Sequence, residues 1–414
     1  MNSLTQKNVI VGIDWADQTH AWHIQNGESQ TAGLLEQDAS AIQQWIGKLR
    51  KQHTGCQFAV AIETTKGALI SALLQHDDIT IYPINPAALA AYRKAFAHGG
   101  GKNDPGDAML LCQYLTYYID QLRPLRRDQP LTRKLAAMAE DRRRLVDQRT
   151  AHCNELKAVL KSYFPEVLKL EAARIYADFI LVFLLKCPNL AAAQKAGAIK
   201  LRKLFYGIGT RSKAEKRVQL LVEAVGLSND PTFNQTCSMR VTALAALIQT
   251  YNAQIRVYDA RIAEEVVDHE DYAIFKSLPG ASDLTHSRMI AAMGDDRLRY
   301  ADASSLQAAT GIAPLTTQSG KQRFVSARWA CTKFLRQTFH EYAGLSIAKS
   351  KWAAAYYKLQ REKGKSPQMA KRALAYKWQR IIFRCWQDKV PYNEAKYIQR
   401  LKLTGSPIYK LIDA

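Results

Sequence analysis

Short apolar runs and helical patterns alternate along the first 122 residues of the chain. Apolar or alternating runs predict strands at 8–13, 19–25, 28–35, 58–62 and 79–84, and helical spacing predicts helices at 40–50, 67–74, 87–96 and from Asp104 onward. Three strands and a helix, followed by alternating strands and helices, indicate an α/β domain with a mixed sheet.

The pattern changes after Leu122, where charged residues become dense between widely spaced apolar ones. One long helix is predicted at 132–160, and further helices at 218–225 and 239–267. A long charged helix with an apolar stripe is typical of a bundle or coiled coil, so we expect a helical middle region that joins subunits. The apolar positions of its stripe include Leu135, Met138, Leu145, Leu156 and Leu160.

A third region begins near Asp271. Its segment 278–284 resembles the glycine-containing turn of a helix-hairpin-helix, which presents backbone N–H groups to a phosphate. An ordinary turn between two packed helices has the same pattern. A Gly-x-x-Pro turn at 311–314, a polar loop at 316–323 and helices to about Trp386 follow. We therefore expect an α/β plus all-α protein in four parts, at 1–125, 126–270, 271–390 and, as a basic tail, 391–414.

The net charge distinguishes this chain from an ordinary globular protein. Its 414 residues include 58 Lys and Arg against 37 Asp and Glu, which gives a formal net charge of +21. Nucleic acid is the commonest partner of so large an excess. A membrane surface is the competing partner, but the chain has no amphipathic or lipidation signal, so we expect nucleic acid and no membrane.

The lack of a recognisable targeting signal and the scattered cysteines favour a cytoplasmic location. Residues 1–11 lack the basic region and the cleavage site of a signal peptide, and the longest apolar run, 179–185, is too short to span a bilayer. The seven cysteines are scattered and form no CxxC pair. We therefore expect reduced thiols, and neither a zinc module nor a disulfide framework.

Four carboxylates carry the candidate chemistry. Asp14 and Glu63 each follow an apolar strand, and Asp104 and Asp107 lie three apart in the first turn of a helix. Strand ends in an α/β sheet converge on a cleft, and residues three apart project from one helix face. Oxygen-only ligands suit Mg²⁺ or Mn²⁺, which can clamp the attacking and leaving oxygens of a phosphodiester.

Each acid also has an ordinary structural explanation. Asp104 could cap the helix, Asp107 could favour its dipole, Asp14 could cap a turn and Glu63 could pair with a lysine. The four acids together favour a metal site, because each follows a strand or begins a helix at a place in the order of elements from which its side chain can reach a shared cleft.

This order of elements resembles the RNase-H-like fold of RuvC-type Holliday-junction resolvases. The fuller resemblance is to the DEDD transposases of the insertion-sequence-110 family, which are bridge-RNA-guided recombinases of bacterial insertion sequences. It covers most of residues 8–350. The segments that carry it are VGIDWADQTH at 11–20, AIETTKG at 61–67, KNDPGDAMLL at 102–111, LPGASDLTHSRMIAAMGD at 278–295 and ATGIAPLTTQSGKQ at 309–322.

The resemblance implies further properties. In the family, a serine shortly after a Gly-x-x-Pro turn forms a covalent phosphoserine link to DNA beside the carboxylate-bound metal. That serine is Ser319 here, where the chain reads Ser-Gly-Lys and the family often has Ser-Gly-Gly. The implied partners are donor and target DNA, a structured noncoding guide RNA and further copies of the chain, as a dimer or tetramer, in a bacterial cytoplasm.

Basic side chains are concentrated in two stretches. The first runs from Arg123 through the long helix and includes Arg142, Arg143 and Arg144. The second, residues 349–402, holds 15 Lys and Arg against three acids. Basic residues track a phosphate backbone and aromatics stack on unpaired bases, although the aromatics could instead form the core of a helical unit. Those of the second stretch are Trp352, Tyr356, Tyr357, Tyr376, Trp378 and Trp386.

Two other functions fit the same residues. A structure-selective nuclease or junction resolvase would use the four acids to activate water and would not need Ser319. A non-catalytic nucleic-acid-binding protein would be expected to lack one of the acids, and all four are present. A covalent protein–DNA adduct distinguishes a recombinase from a nuclease.

Overall fold

The computed structural model describes residues 8–96, 104–170, 174–209, 211–228, 230–320 and 322–412. It divides the chain into two compact units, Met1–Asp128 and Gln129–Ala414. Three positions within the sequence motifs, Lys102, Asn103 and Lys321, lie outside the described residues.

A mixed five-stranded sheet forms the centre of the first unit, as the alternating patterns predicted. Its strands are β1 (Asn8–Asp14), β2 (Thr19–Asn26), β3 (Ser29–Glu36), β4 (Gln57–Ile62) and β5 (Ile79–Pro83), and its helices are α1 (Ala39–Gln52), α2 (Ala68–Leu73), α3 (Pro86–Phe96) and α4 (Asp104–Tyr118). The strand order is β3-β2-β1-β4-β5. β1 pairs antiparallel with β2 and parallel with β4, and β4 pairs parallel with β5.

Alternate residues of β1 are buried on opposite faces of the sheet. Val9, Val11 and Ile13 lie in the core that contains the apolar side chains of α1 and α2. Ile10 lies in the second core, with those of α3 and α4. Because successive side chains of a strand point to opposite faces, the even-numbered residues of β1 face α3 and α4.

The second unit is almost entirely helical. Its elements are α5 (Pro130–Tyr163), α6 (Glu166–Leu170), α7 (Asp178–Lys186), α8 (Leu190–Gly207), α9 (Ala214–Val222), α10 (Pro231–Val266), α11 (Tyr272–Lys276), α12 (Asp283–Met293), α13 (Ala303–Ala309), β6 (Leu315–Ser319), β7 (Gln322–Ser326), α14 (Lys333–Ser346), α15 (Lys351–Glu362), α16 (Pro367–Gln387), α17 (Glu394–Leu403) and α18 (Pro407–Lys410). No single helix of the described residues is long and apolar enough to cross a membrane, although α7 and α8, bent by 105°, meet that test as a pair.

The long predicted helix is α5, and its apolar stripe packs within its own chain. Arg142 bonds Asp259 near the end of α10 at 2.6 Å, whereas Glu155 accepts from Arg240 near its beginning at 2.6 Å, so the two helices are antiparallel. Leu135 belongs to the core of the C-terminal helices. The leucines at the other end of α5 are covered by α7 to α10. The stripe therefore leaves little exposed apolar surface for packing against a second subunit.

The aromatic residues of the C-terminal helices form a core. Trp352, Trp378 and Trp386 are fully buried, so for these three the alternative of a helical core is confirmed and base stacking is excluded. The indole N–H of Trp352 donates to the Tyr392 hydroxyl at 2.7 Å, which satisfies its polar atom. The basic region 391–414 is also folded in part, because α17 and α18 bury apolar side chains against the same core.

The turn resembling a helix-hairpin-helix packs closely against α14. Gly280 has a φ of +80°, and a Cβ there would lie 2.8 Å from the carbonyl oxygen of Leu345. This close approach accounts for the glycine without a bound phosphate.

Candidate active site

Asp14 and Glu63 lie at the same edge of the sheet. The parallel register of β1 and β4 pairs Gly12 with Ala61 and Ile13 with Ile62. Asp14 is the last residue of β1, and Glu63 is the first after β4. The two carboxylates therefore stand at the carboxyl ends of neighbouring strands, as the apolar runs predicted. Asp14 is an even-numbered residue of β1, so its side chain is on the face that packs against α4.

Gly12 brings α4 onto that face. A Cβ on Gly12 would lie inside van der Waals contact of the Ala108 carbonyl oxygen and 2.5 Å from the Cys112 nitrogen. Burial raises the pKa of the Cys112 thiol to about 12, and the thiol donates to the carbonyl of Ile10 at 3.5 Å. Because the helix passes Gly12 at Ala108 and reaches Ile10 at Cys112, it runs antiparallel to β1. Its first turn therefore lies at the carboxyl end of that strand.

That first turn carries Asp104 and Asp107 in different environments. Asp104 is exposed, whereas Asp107 is 5% exposed and forms an ion pair with Arg93 of α3. The Nε of Arg93 is buried and has no hydrogen-bond partner among the described residues. The sheet and α4 thus bring all four acids to one edge, and Arg93 neutralises the most buried of them.

The chemistry of the four carboxylates suits a divalent cation. Four carboxylates offer only oxygen ligands, which is what Mg²⁺ and Mn²⁺ prefer. Among the described residues, however, no three His, Cys, Asp or Glu side chains are grouped closely enough to hold a metal ion. Arg93 engages Oδ1 of Asp107, so a cation bound by this carboxylate would share it with the guanidinium or displace the guanidinium.

The turn after Asp14 is held by a buried histidine that sequence reasoning did not select. The backbone N–H of Ala16 donates to Nδ1 of His20 at 3.2 Å. Nε2 therefore carries the proton and donates to Oε1 of Gln37 at 2.6 Å. His20 lies within the first sequence motif, so its place there was the available signal. Nothing in the spacing of Arg93 indicated its ion pair.

Ser319 lies at the end of an exposed β-hairpin. The predicted polar loop at 316–323 was wrong, because β6 and β7 pair antiparallel there, with Ser319 opposite Gln322. Gly320, with a φ of +55°, begins the two-residue connection. Two-residue hairpin turns need such a conformation, which accounts for the glycine directly after the serine. All residues of both strands are exposed.

The base of this hairpin is clamped by α16. Arg372 donates to the carbonyls of Gly311 at 2.5 Å and of Ile312 at 3.1 Å, which belong to the predicted Gly-x-x-Pro turn. Burial, with a contribution from nearby Arg336, lowers the pKa of Arg372. A fork of two donors fixes the direction in which the chain enters the hairpin. The basic pattern of 349–402 indicated a cation here but not this clamp.

The three arginines at 142–144 differ in their surroundings. Arg142 pairs with Asp259, and Arg143 pairs with Asp147 and with Glu341 of α14. Arg144 pairs with the neighbouring Asp141, and its side chain is 72% exposed. Arg142 and Arg143 therefore join helices, and only Arg144 is well placed for a phosphate.

Comparisons with known proteins agree with this architecture. Residues 11–165, which include all four acids, match the model of the IS110 DEDD transposases, described as "Transposase". Residues 272–358, which include Ser319, match "Transposase IS116/IS110/IS902 family".

Two relatives match nearly the whole chain. One is the mini-circle transposase assigned to IS117 of Streptomyces coelicolor, 27% identical over 94% of this chain and 96% of the relative. The other is the uncharacterized 42 kDa protein of insertion element IS900 of Mycobacterium paratuberculosis, 24% identical over 94% of this chain and 98% of the relative. Both family models, whose matches together span more than half of the chain, and the mixed sheet lead to one assignment. The chain belongs to the insertion-sequence-110 family of DEDD transposases.

Proposed function

We propose that this transposase catalyses RNA-guided cleavage, exchange and rejoining of DNA strands, with Ser319 as the nucleophile. The observation that carries the proposal is the position of Ser319 at the open end of an exposed hairpin, where a phosphate can reach its hydroxyl. The domain that bears the serine and the domain that bears the four acids match the same family.

The proposed cleavage is a transesterification. Oγ of Ser319 forms a bond to phosphorus, and the bond from phosphorus to one deoxyribose oxygen breaks. That oxygen leaves with a proton as a hydroxyl end, and the serine hydroxyl loses its own proton. The number of phosphodiester bonds is unchanged, so a hydroxyl end of a second strand can reverse the step and rejoin the DNA without another energy source. Hydrolysis would discard this bond.

The acids give the second part of the proposal. Asp14, Glu63, Asp104 and Asp107 would hold Mg²⁺ or Mn²⁺, which would supply charge stabilisation at the reacting phosphate. Gly12 allows α4, which carries Asp104 and Asp107, to approach β1, which carries Asp14. Arg93 pairs with Asp107 and fixes the direction of its side chain while no cation is bound.

The partners are also part of the proposal. Donor and target DNA are the substrates, and a structured noncoding RNA is the guide, to which the net charge of +21 is suited. Recombination must hold two duplexes together, so we propose a homo-oligomer, a dimer or a tetramer. DNA as the substrate places the reaction in the bacterial cytoplasm.

Strand joining with matched serine variants tests the proposal. The protein would be incubated with DNA of its element's ends and the noncoding RNA from the element's flank. Ser319→Ala should abolish cleavage and joining and leave DNA affinity unchanged. Ser326→Ala removes another exposed serine of the same hairpin and should react normally. If Ser319→Ala cuts at the wild-type rate and leaves free ends, water is the nucleophile and the resolvase-like function replaces this one.

A further inference from the structure

The hairpin that carries Ser319 exposes apolar side chains. Phe324 is 63% exposed, Val325 61% and Leu315 43%, and all other residues of both strands are exposed as well. A two-stranded hairpin has no core of its own and is only marginally stable without a covering partner. The face of the hairpin that carries Ser319 is therefore a candidate binding surface.

The register places Phe324 on the same face as the serine. Ser319 lies opposite Gln322, and Thr317 lies opposite Phe324. Residues opposite one another in an antiparallel pair point to the same face, so Ser319 and Phe324 share a face while Val325 points to the other. Phe324 is a diagonal neighbour of Ser319, and such neighbours have their backbones about 7–8 Å apart, within reach of an aromatic ring.

The charge around the hairpin suits a nucleic-acid strand. Residues 303–340 contain no Asp or Glu. The exposed ring of Trp329 lies 5.3 Å from the guanidinium of Arg336, which adds a second aromatic beside a cation. Cations bind phosphates and aromatic rings stack on bases, and the two together are typical of surfaces that hold single strands. The Lys and Arg residues of 303–340 are Lys321, Arg323, Arg328, Lys333 and Arg336.

We propose that Phe324 stacks on an unpaired DNA base next to the phosphate that Ser319 attacks, and so holds a separated strand at the nucleophile. A duplex keeps the faces of its bases inside the stack, so this contact requires local strand separation. The inference rests on the proposed role of Ser319. It adds the form of DNA that the hairpin recognises.

Three variants of the full-length protein test this contact. The probes are an oligothymidylate and a duplex of the same length. Phe324→Ala should weaken single-strand binding about 10-fold, because stacking on one base contributes a factor of this order. Phe324→Trp should retain the affinity. Val325→Ala, on the opposite face and equally exposed, should change it by less than about twofold, and all three should leave duplex binding nearly unchanged.

Photocrosslinking keeps the test decisive if other sites also hold the oligonucleotide. An oligothymidylate with one 5-iodouracil should crosslink to the peptide that contains Phe324, and Phe324→Ala should remove that crosslink. Equal loss of affinity in the Phe324→Ala and Val325→Ala variants, or unchanged affinity and no crosslink, would overturn the proposal. A change of subunit number in Phe324→Ala would overturn it too, in favour of a protein partner.

These measurements separate this inference from the proposed reaction. Binding and crosslinking need no cleavage, so they can be made with Ser319→Ala. If Ser319→Ala cleaves normally while Phe324 still crosslinks, the serine mechanism fails and the strand contact stands.

Discussion

Replacing Gly12 with alanine should both destabilise the first unit and displace the acids. The new Cβ would lie 2.5 Å from the Cys112 nitrogen and closer still to the Ala108 carbonyl oxygen, whereas ordinary contact begins at 3.4 Å, so α4 must withdraw by more than about 1 Å. The obstacles are backbone atoms, which cannot turn aside. Overpacking of this kind costs roughly 1–3 kcal/mol of unfolding free energy. Misplacing Asp104 and Asp107 by about 1 Å should lower cleavage about 100-fold.

The matched control is Gly47→Ala in α1. A Cβ on Gly47 has nothing within 4 Å, so alanine should fit and add roughly 0.5–1 kcal/mol of helix stability. Urea unfolding and metal-dependent cleavage of element-end DNA would be measured for both variants. If Gly12→Ala matched Gly47→Ala in stability and in cleavage rate, the close approach of α4 would not be what positions the acids.

Three further predictions follow from individual arginines. Arg93→Gln leaves the buried carboxylate of Asp107 without its ion-pair partner and should lower the free energy of unfolding, measured in EDTA, by about 3 kcal/mol. Mn²⁺ should restore this stability and, by calorimetry, bind the variant more tightly than the wild type. Equal stability of the variant with and without Mn²⁺ would contradict this prediction. Arg144→Gln should reduce by about 1 the slope of the logarithm of the DNA-binding constant against the logarithm of the salt concentration, whereas Arg142→Gln should mainly lower the melting temperature. A lower melting temperature in Arg144→Gln and a reduced slope in Arg142→Gln would contradict the helix-joining role of Arg142. Arg372→Lys loses the two-carbonyl clamp, so hydrogen exchange in 311–331 should accelerate and cleavage should fall; unchanged exchange would refute the clamp.

The sheet and the acid edge were predictable because they follow from local pattern. Alternation along β1 and the apolar run of β4 determine which faces are buried, and parallel pairing then brings Asp14 and Glu63 to one edge. The close approach at Gly12 was not visible in the sequence, since a glycine after an apolar run has many explanations. The Arg93–Asp107 pair also depends on how α3 and α4 pack.

Other features depended on contacts distant in sequence. An apolar stripe such as that of α5 has the same pattern whether its partner is a second subunit or, as here, α10 about a hundred residues later. The hairpin of Ser319 has no buried side, so its strands have no alternating pattern to reveal them. The buried tryptophans stand among basic residues, and only packing distinguishes a core from a stacking surface.

The most direct test of the serine mechanism is the mass of the protein–DNA adduct. Wild-type protein would be trapped on a nicked substrate of its element's end, denatured and digested, and the DNA-linked peptide would be identified by mass spectrometry. The account predicts a phosphodiester on Ser319, stable to denaturant, lost in Ser319→Ala and retained in Ser326→Ala. Cleaved DNA with free ends, no linked peptide and normal cutting by Ser319→Ala would contradict it.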